Sequence, residues 1–186
     1  MDVLEALRAR RSIGKLGGDV APEAIRALIE AAVWAPNHRL TEPWRFTVLR
    51  GAARQRLGHA WAEIVARETS LTGDERTALL QREAAKPLRA PVLVVVSTRT
   101  DPDPIVATED FAATAAAIEN MLLAATATGV GAMWRTGGFA YSTEIVRHLG
   151  LDPSDRIVGI VYLGEPAIEP PRGRPREVEG VIRWLE

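Results

Sequence analysis

The stretch from about residue 107 to residue 128 constrains the fold most, because it predicts a long helix that is apolar on most sides. It consists mainly of Ala, Ile, Leu, Met and Thr. A helix without a broad polar face lies in the middle of a protein or in a subunit interface. Its alanines permit a second helix to approach closely, so we expect other elements to pack around it.

A continuous run of β-branched residues predicts a central strand that is buried on both faces. Residues 92–96 read Val-Leu-Val-Val-Val, which is typical of such a strand. Three more strands are expected over residues 45–49, within the glycine-bracketed stretch 129–138, and over residues 156–163. Together these four strands predict one central sheet.

Apolar residues at helical spacing predict helices on both faces of this sheet. The first is expected to turn Val3, Leu4 and Leu7 inward. Helices are expected over residues 2–10, from Pro22 to Pro36, and over 52–68, 74–86 and 142–149. The arrangement predicts an α+β or three-layer α/β/α architecture, with a single domain spanning residues 1–186.

Composition excludes several classes of protein. The chain has 186 residues with 47% hydrophobic side chains, which fits a globular domain with a substantial core. It has no cysteine, so disulfides, thiolate nucleophiles and cysteine-ligated metals are excluded. A net charge of −1 argues against nucleic acid or anionic lipid as a partner. The N-terminus does not resemble a signal peptide, and the apolar stretches are too short or too interrupted to cross a bilayer, so we expect a cytoplasmic protein.

Several common site motifs are missing. There is no Gly-x-Gly-x-x-Gly turn, no Walker-type glycine–lysine loop and no Gly-x-Ser-x-Gly elbow. The histidines His38, His59 and His148 lie far apart and lack metal-ligand spacing, so no metal site is expected.

Three stretches remain as candidates, and each has an ordinary alternative explanation. Arg10-Arg11-Ser12 combines phosphate-binding side chains, although a solvated helix end would look the same. In the stretch 35–44, His38 could cap a turn and Trp44 could belong to the core. In the stretch 131–137, Trp134 could be core and Arg135 could pair with a carboxylate. Together the three supply arginines for a phosphate, hydrogen-bond donors for ring edges, and flat surfaces for a heteroaromatic ring.

These stretches resemble the FMN-dependent nitroreductase family, and in particular its small, minimal branch. The features that carry the resemblance span nearly the whole chain. They are Arg-Arg-Ser at 10–12, Ala-Pro-x-His at 35–38 leading to Pro-Trp at 43–44, the long helix ending at Gly129, Trp-Arg-Thr at 134–136, and Leu-Gly-Glu-Pro at 163–166.

The resemblance implies a homodimer with FMN at the subunit interface, and a central mixed, mainly antiparallel sheet of four strands that is completed across the dimer. The residues implied in FMN binding are Arg10, Arg11, Ser12, Trp34, His38, Trp134, Arg135 and Thr136, with the loop from Trp34 to His38 coming from the other subunit. The residues implied in NAD(P)H binding are Ala124, Ala125, Thr126, Ala127, Thr128 and Gly129. The implied reaction is a ping-pong hydride transfer from NAD(P)H to FMN, then reduction of a nitroaromatic, quinone or similar acceptor, with no catalytic side chain.

The chain departs from the family pattern at a few positions. Glu42 stands where many members have Gln, and Gly14, followed by Lys15, stands where many have Lys or Arg. The chain also lacks room for the helical insertion that often covers the substrate, so we expect an open pocket.

Arg172, Arg174 or Arg176 could contact the phosphate from the tail, or the tail could simply be solvated. The apolar end, residues 181–185, suggests docking on another surface such as a partner subunit.

Two other functions remain open at this point. A flavoprotein of the same fold could direct its electrons to a different reaction, such as dehalogenation or substrate oxidation. A non-catalytic FMN-binding protein is the other alternative, because one fold hosts many functions.

Overall fold

A computed structural model describes residues 1–186 as five strands and six α-helices. The strands are β1 (Leu16–Gly17), β2 (Trp44–Arg50), β3 (Val92–Thr98), β4 (Gly131–Arg135) and β5 (Arg156–Pro166). The α-helices are α1 (Val3–Ala9), α2 (Pro22–Ala32), α3 (Ala52–Glu68), α4 (Gly73–Ala84), α5 (Pro104–Ala127) and α6 (Thr143–His148). Short 3₁₀ turns lie at His38–Leu40, Lys86–Arg89, Gly138–Tyr141 and Glu179–Val181.

The strands form one antiparallel sheet. Its order is β1-β5-β3-β2, and β4 also pairs with β5. The predicted α+β fold is confirmed, and the order of the predicted elements along the chain is the observed one. The sheet differs in two details from the expected mixed, four-stranded sheet. It has a fifth strand, because the two-residue β1 is too short to leave a pattern, and every pairing is antiparallel.

The strand β3 lies at the centre of two cores because its side chains alternate between the two faces of the sheet. All of its residues are buried. Val92, Val94 and Val96 pack in the core beneath α2 and α5, whereas Leu93 and Val95 pack with α3 and α6 on the other face. Helices on both faces make the predicted three-layer arrangement.

The helix α5 starts where Asp103 caps it, since the Asp103 carboxylate accepts a hydrogen bond from the Ile105 N–H at 2.8 Å. Ala117, Ile118 and Met121 are fully buried against the sheet. The opposite side is only half-buried and carries the small residues Ala115 and Ala116. No helix of the protein is both long and apolar enough to span a membrane.

The helix α1 does not bury the residues that its spacing selects. Val3, Leu4 and Leu7 are 65%, 56% and 50% exposed, and only Ala6 is buried. The prediction that they turn inward is therefore wrong. The reason is that a seven-residue helix contacts α5 along a narrow line, so the wider apolar face stays uncovered in a single chain.

A buried carboxylate lies between α3 and α4. Glu83 is 6% exposed, accepts a hydrogen bond from Trp61 Nε1 at 2.8 Å, and pairs with Lys86. Burial by itself raises the pKa of Glu83, but the hydrogen bonds from Lys86 and Trp61 more than offset it, so the pKa lies below its ordinary value.

We expect Glu83→Gln to destabilise the protein at about pH 7 by about 1.5–3 kcal/mol, the usual contribution of hydrogen bonds to a charged group. Because the folded-state pKa is lowered, the contribution is complete above the ordinary carboxyl pKa and is lost as the pH falls through the lowered value. Urea unfolding of both proteins between about pH 7 and about pH 3 measures this. The difference in the free energy of unfolding between Glu83→Gln and the parent protein should shrink in acid. The control Glu63→Gln, at an exposed position on α3, should unfold like the parent at every pH.

Candidate functional site

An open groove lined by arginines lies at the end of α1. Its volume is about 930 Å³, and the C-terminal segment 172–176 forms its other wall. No Asp or Glu lies among the lining residues. The polar side chains that line the groove are Arg8, Arg10, Arg11, Ser12, Arg172, Arg174 and Arg176. Several arginines around one space favour an anion with several oxygens, such as a phosphate. We call this space the arginine groove.

Two elements fix the position of the Arg10–Ser12 stretch. Arg10 ends α1, and its Nε lies 3.3 Å from Glu119 Oε1 on α5. Three residues later, the Ile13 N–H donates to the Ala132 carbonyl at 3.0 Å and so fastens the chain to β4. The structure therefore brings the first and third candidate stretches to neighbouring positions at the edge of the sheet.

The second candidate stretch contacts α5 nearer the N-terminus of that helix. His38 Nδ1 is 2.8 Å from Glu109 Oε2, and Trp34 is 84% exposed. Ten residues separate Glu109 from Glu119, which corresponds to about 15 Å along a helix. His38 thus contacts the same helix as Arg10 but at a distant position, and neither Trp34 nor His38 lines the arginine groove within one chain.

Backbone strain marks the loop after His38. Arg39, Leu40 and Glu42 all have a positive φ, between 44° and 55°, which non-glycine residues rarely adopt. The conformation is held by hydrogen bonds, from the Glu42 N–H to Asn37 Oδ1 at 3.0 Å and from the Thr41 hydroxyl to Asp110 at 2.6 Å. Such strain is concentrated at functional sites.

On β4, the indole of Trp134 lies against the backbone of β5. A Cβ on Gly159 would overlap Trp134 Nε1, so glycine is required for this close approach. The pairing of β5 with β3 also shifts by one residue here, next to Val96. β-Bulges of this kind occur next to active sites, where they redirect side chains.

The two residues after Trp134, Arg135 and Thr136, have different surroundings from it. Arg135 lies over the Tyr162 ring, with 5.5 Å to its centroid, rather than against a carboxylate. Thr136 is exposed at the end of β4. Trp44 is 7% exposed and belongs to the core, which agrees with its ordinary explanation.

The candidate NAD(P)H segment, 124–129, forms the end of α5 just before β4. Its hydroxyls turn back onto the helix, since Thr126 donates to the Leu122 carbonyl and Thr128 to the Ala124 carbonyl. Gly129 ends the helix with a φ of 77°. The segment therefore presents small side chains and backbone, and no charged group.

Sequence reasoning missed three residues that shape this region. Glu119 is a charged residue in an apolar helix, and Gly159 interrupts a β-branched strand, so both could have been noticed. Gly173, in the tail, packs against Arg11, and no local pattern could have indicated that contact.

Comparison with known proteins identifies the family. The model of the nitroreductase family matches residues 7–165. The chain belongs to this family. A nitroreductase-like family protein from Bacillus cereus is 30% identical, with a TM-score of 0.86 over 100% of this chain and 97% of that one.

Two other nitroreductase-family relatives bear on the cofactor. A nitroreductase from Bacteroides fragilis, solved with bound FMN, is 25% identical with a TM-score of 0.74 over the whole of both chains. The "Putative NAD(P)H nitroreductase YfhC" of Bacillus subtilis is 32% identical over 164 residues, which is 87% of this chain and 83% of the relative. The family resemblance inferred from the sequence is thereby confirmed.

Proposed function

We propose that this chain is an FMN-dependent oxidoreductase that transfers electrons from NAD(P)H to a nitroaromatic, quinone or similar acceptor. The observation that carries the proposal is the arginine groove, which six arginines line without a lining carboxylate. That donor set suits the phosphate of FMN. The FMN in the Bacteroides fragilis relative and the NAD(P)H in the name of the Bacillus subtilis relative support the choice of cofactors.

In this proposal different residues bind different parts of the cofactor. Arg10, Ser12 and the tail arginines hold the phosphate, and Arg11 supports them. The backbone of Trp134, Arg135 and Thr136 runs along the ring system at the edge of the sheet, since the side chains of Trp134 and Arg135 lie on opposite faces of β4. NAD(P)H approaches the small-residue segment 124–129.

Trp34 and His38 complete the site only from a second copy of the chain, because neither lines the arginine groove of its own chain and His38 pairs with α5 ten residues away from Glu119. The uncovered side chains of Val3, Leu4, Leu7 and Trp34 provide apolar area for such a dimer. The half-buried alanines of α5 permit close packing of the two copies. Each copy acts as a single domain, since both of its cores share one sheet.

When bound, FMN supplies the redox chemistry by accepting a hydride and passing electrons to the acceptor. The chain itself binds the phosphate, orients the ring against β4 and shields one side from water. No side chain of the site needs to act as an acid or a base. A cytoplasmic location goes with this proposal, since NAD(P)H is a cytoplasmic reductant.

The absorbance spectrum of the purified protein tests the proposal. We expect a yellow protein with flavin bands that NAD(P)H bleaches without oxygen, and that an added quinone or nitroaromatic restores. A colourless protein that takes up no added FMN would contradict the cofactor assignment. A yellow protein that dithionite bleaches but NAD(P)H does not would contradict the electron donor.

A further inference from the structure

The guanidinium of Arg11 is committed to backbone carbonyls rather than to the open space of the groove. Its Nη1 donates to the carbonyls of Arg8 at 2.7 Å and Arg10 at 2.6 Å. Its Nε donates to the carbonyl of Pro171 at 3.1 Å, across 160 positions of sequence. Arg11 thus joins the end of α1 to the C-terminal tail.

This contact is the main attachment of the tail. Beyond Ala167, whose N–H donates to Lys15, the hydrogen bond from Arg11 to Pro171 is the only one between the tail and the rest of the protein. Every residue from Glu165 onward is exposed. Arg172, Arg174 and Arg176 form no ion pair or hydrogen bond of their own, although they line the arginine groove.

Gly173 lets Arg11 reach this position. A Cβ at residue 173 would overlap Arg11 Nη2 and Cζ, so the guanidinium lies directly over the glycine backbone. The overlapped atoms are the far end of a flexible side chain, which can move aside without disturbing the core. Alanine at this position therefore displaces Arg11 and leaves the fold intact.

We propose that Arg11 and Gly173 form a latch that holds residues 171–176 over the arginine groove and thereby raises the affinity for the FMN phosphate. The inference rests on the proposed function, and it assigns Arg11 a positioning role. Ordering a flexible segment opposes ligand binding, and holding it in place beforehand reduces that cost. Without the latch, three arginines would have to be ordered each time the phosphate binds.

The test uses three variants of the full chain. Gly173→Ala displaces the guanidinium, Arg11→Lys keeps the charge but removes the forked donor, and Gly180→Ala is the control. Gly180 lies in the same tail with nothing within 4 Å of its Cβ position. We expect the first two to weaken FMN binding about 3- to 30-fold, the effect of losing one or two hydrogen bonds, and the control to bind like the parent.

Two further measurements separate the latch from the cofactor assignment. Cleavage after Arg176 by an arginine-specific protease, without FMN, should be about 3- to 10-fold faster in the two latch variants than in the control. Riboflavin, which lacks the phosphate, should bind all variants equally. Unchanged cleavage would overturn the latch, and faster cleavage with unchanged FMN affinity would overturn its role in binding. If no protein binds FMN, the proposed function fails while the cleavage rates still report on the latch.

Discussion

Replacing Arg10 by alanine is expected to weaken FMN binding about 10- to 150-fold. Arg10 lies in the arginine groove at the end of α1, where Glu119 orients its guanidinium at 3.3 Å. Losing one charge-assisted hydrogen bond costs about 1.5–3 kcal/mol, and each 1.4 kcal/mol corresponds to a factor of about ten. Titration of apoprotein with FMN, followed by quenching of the flavin fluorescence, measures the change.

Arg26→Ala is the matched control for this variant, because Arg26 is an exposed arginine on α2 outside the groove. It should bind FMN like the parent protein. Arg10→Ala should unfold at the same urea concentration as the parent without FMN, since Arg10 is not part of either core. If the parent binds FMN and Arg10→Ala binds it equally well, the phosphate lies elsewhere.

The elements that form the sheet were predictable because each has a strong pattern of its own. The run at residues 92–96 is buried on both faces, as its β-branched composition predicts. The helix predicted over about 107–128 is observed at Pro104–Ala127 and lies against the sheet. In both cases burial on nearly all sides leaves a composition that a local reading of the sequence detects.

The orientation of α1 was not predictable in this way. Periodicity identifies the apolar stripe of Val3, Leu4 and Leu7 but does not say what covers it. Within one chain they remain exposed, and in the proposed dimer a second copy covers them. The two-residue strand β1 was missed for a different reason, because its pairing with Glu165 and Pro166 comes from the fold and not from its own residues.

The candidate site was predictable as residue types but not as an arrangement. Arg10–Ser12 and Trp134–Thr136 come together because Ile13 hydrogen-bonds to Ala132, a contact over more than a hundred positions. The tail joins them through the single bond from Arg11 to Pro171. Long-range contacts of this kind produce no regular spacing of residues in the sequence. The tail could therefore be expected to contribute arginines, but its path could not be derived.

The largest effect on stability is expected from Leu93→Ala, which should lower the free energy of unfolding by about 2–5 kcal/mol. Leu93 is fully buried in β3, and its side chain packs in the core beneath α3 and α6. The loss combines the transfer of the removed methyl and methylene groups with the cavity they leave. It is a large part of the roughly 5–15 kcal/mol that holds a domain together. Urea unfolding of apoprotein at one fixed protein concentration measures it, because bound FMN and the proposed dimerisation would both shift the midpoint.

Leu88→Ala is the matched control, since Leu88 lies five positions away in a 3₁₀ turn and is 44% exposed. We expect it to change the free energy of unfolding by less than about 1 kcal/mol, because much of its side chain is already in water. An equally small loss for Leu93→Ala would mean that this face of the sheet is not closely packed. Compared with Arg10→Ala, the result distinguishes residues that stabilise the sheet from residues proposed to bind the cofactor. Leu93→Ala should unfold at a lower urea concentration yet bind FMN when folded, whereas Arg10→Ala should unfold like the parent protein but bind FMN more weakly.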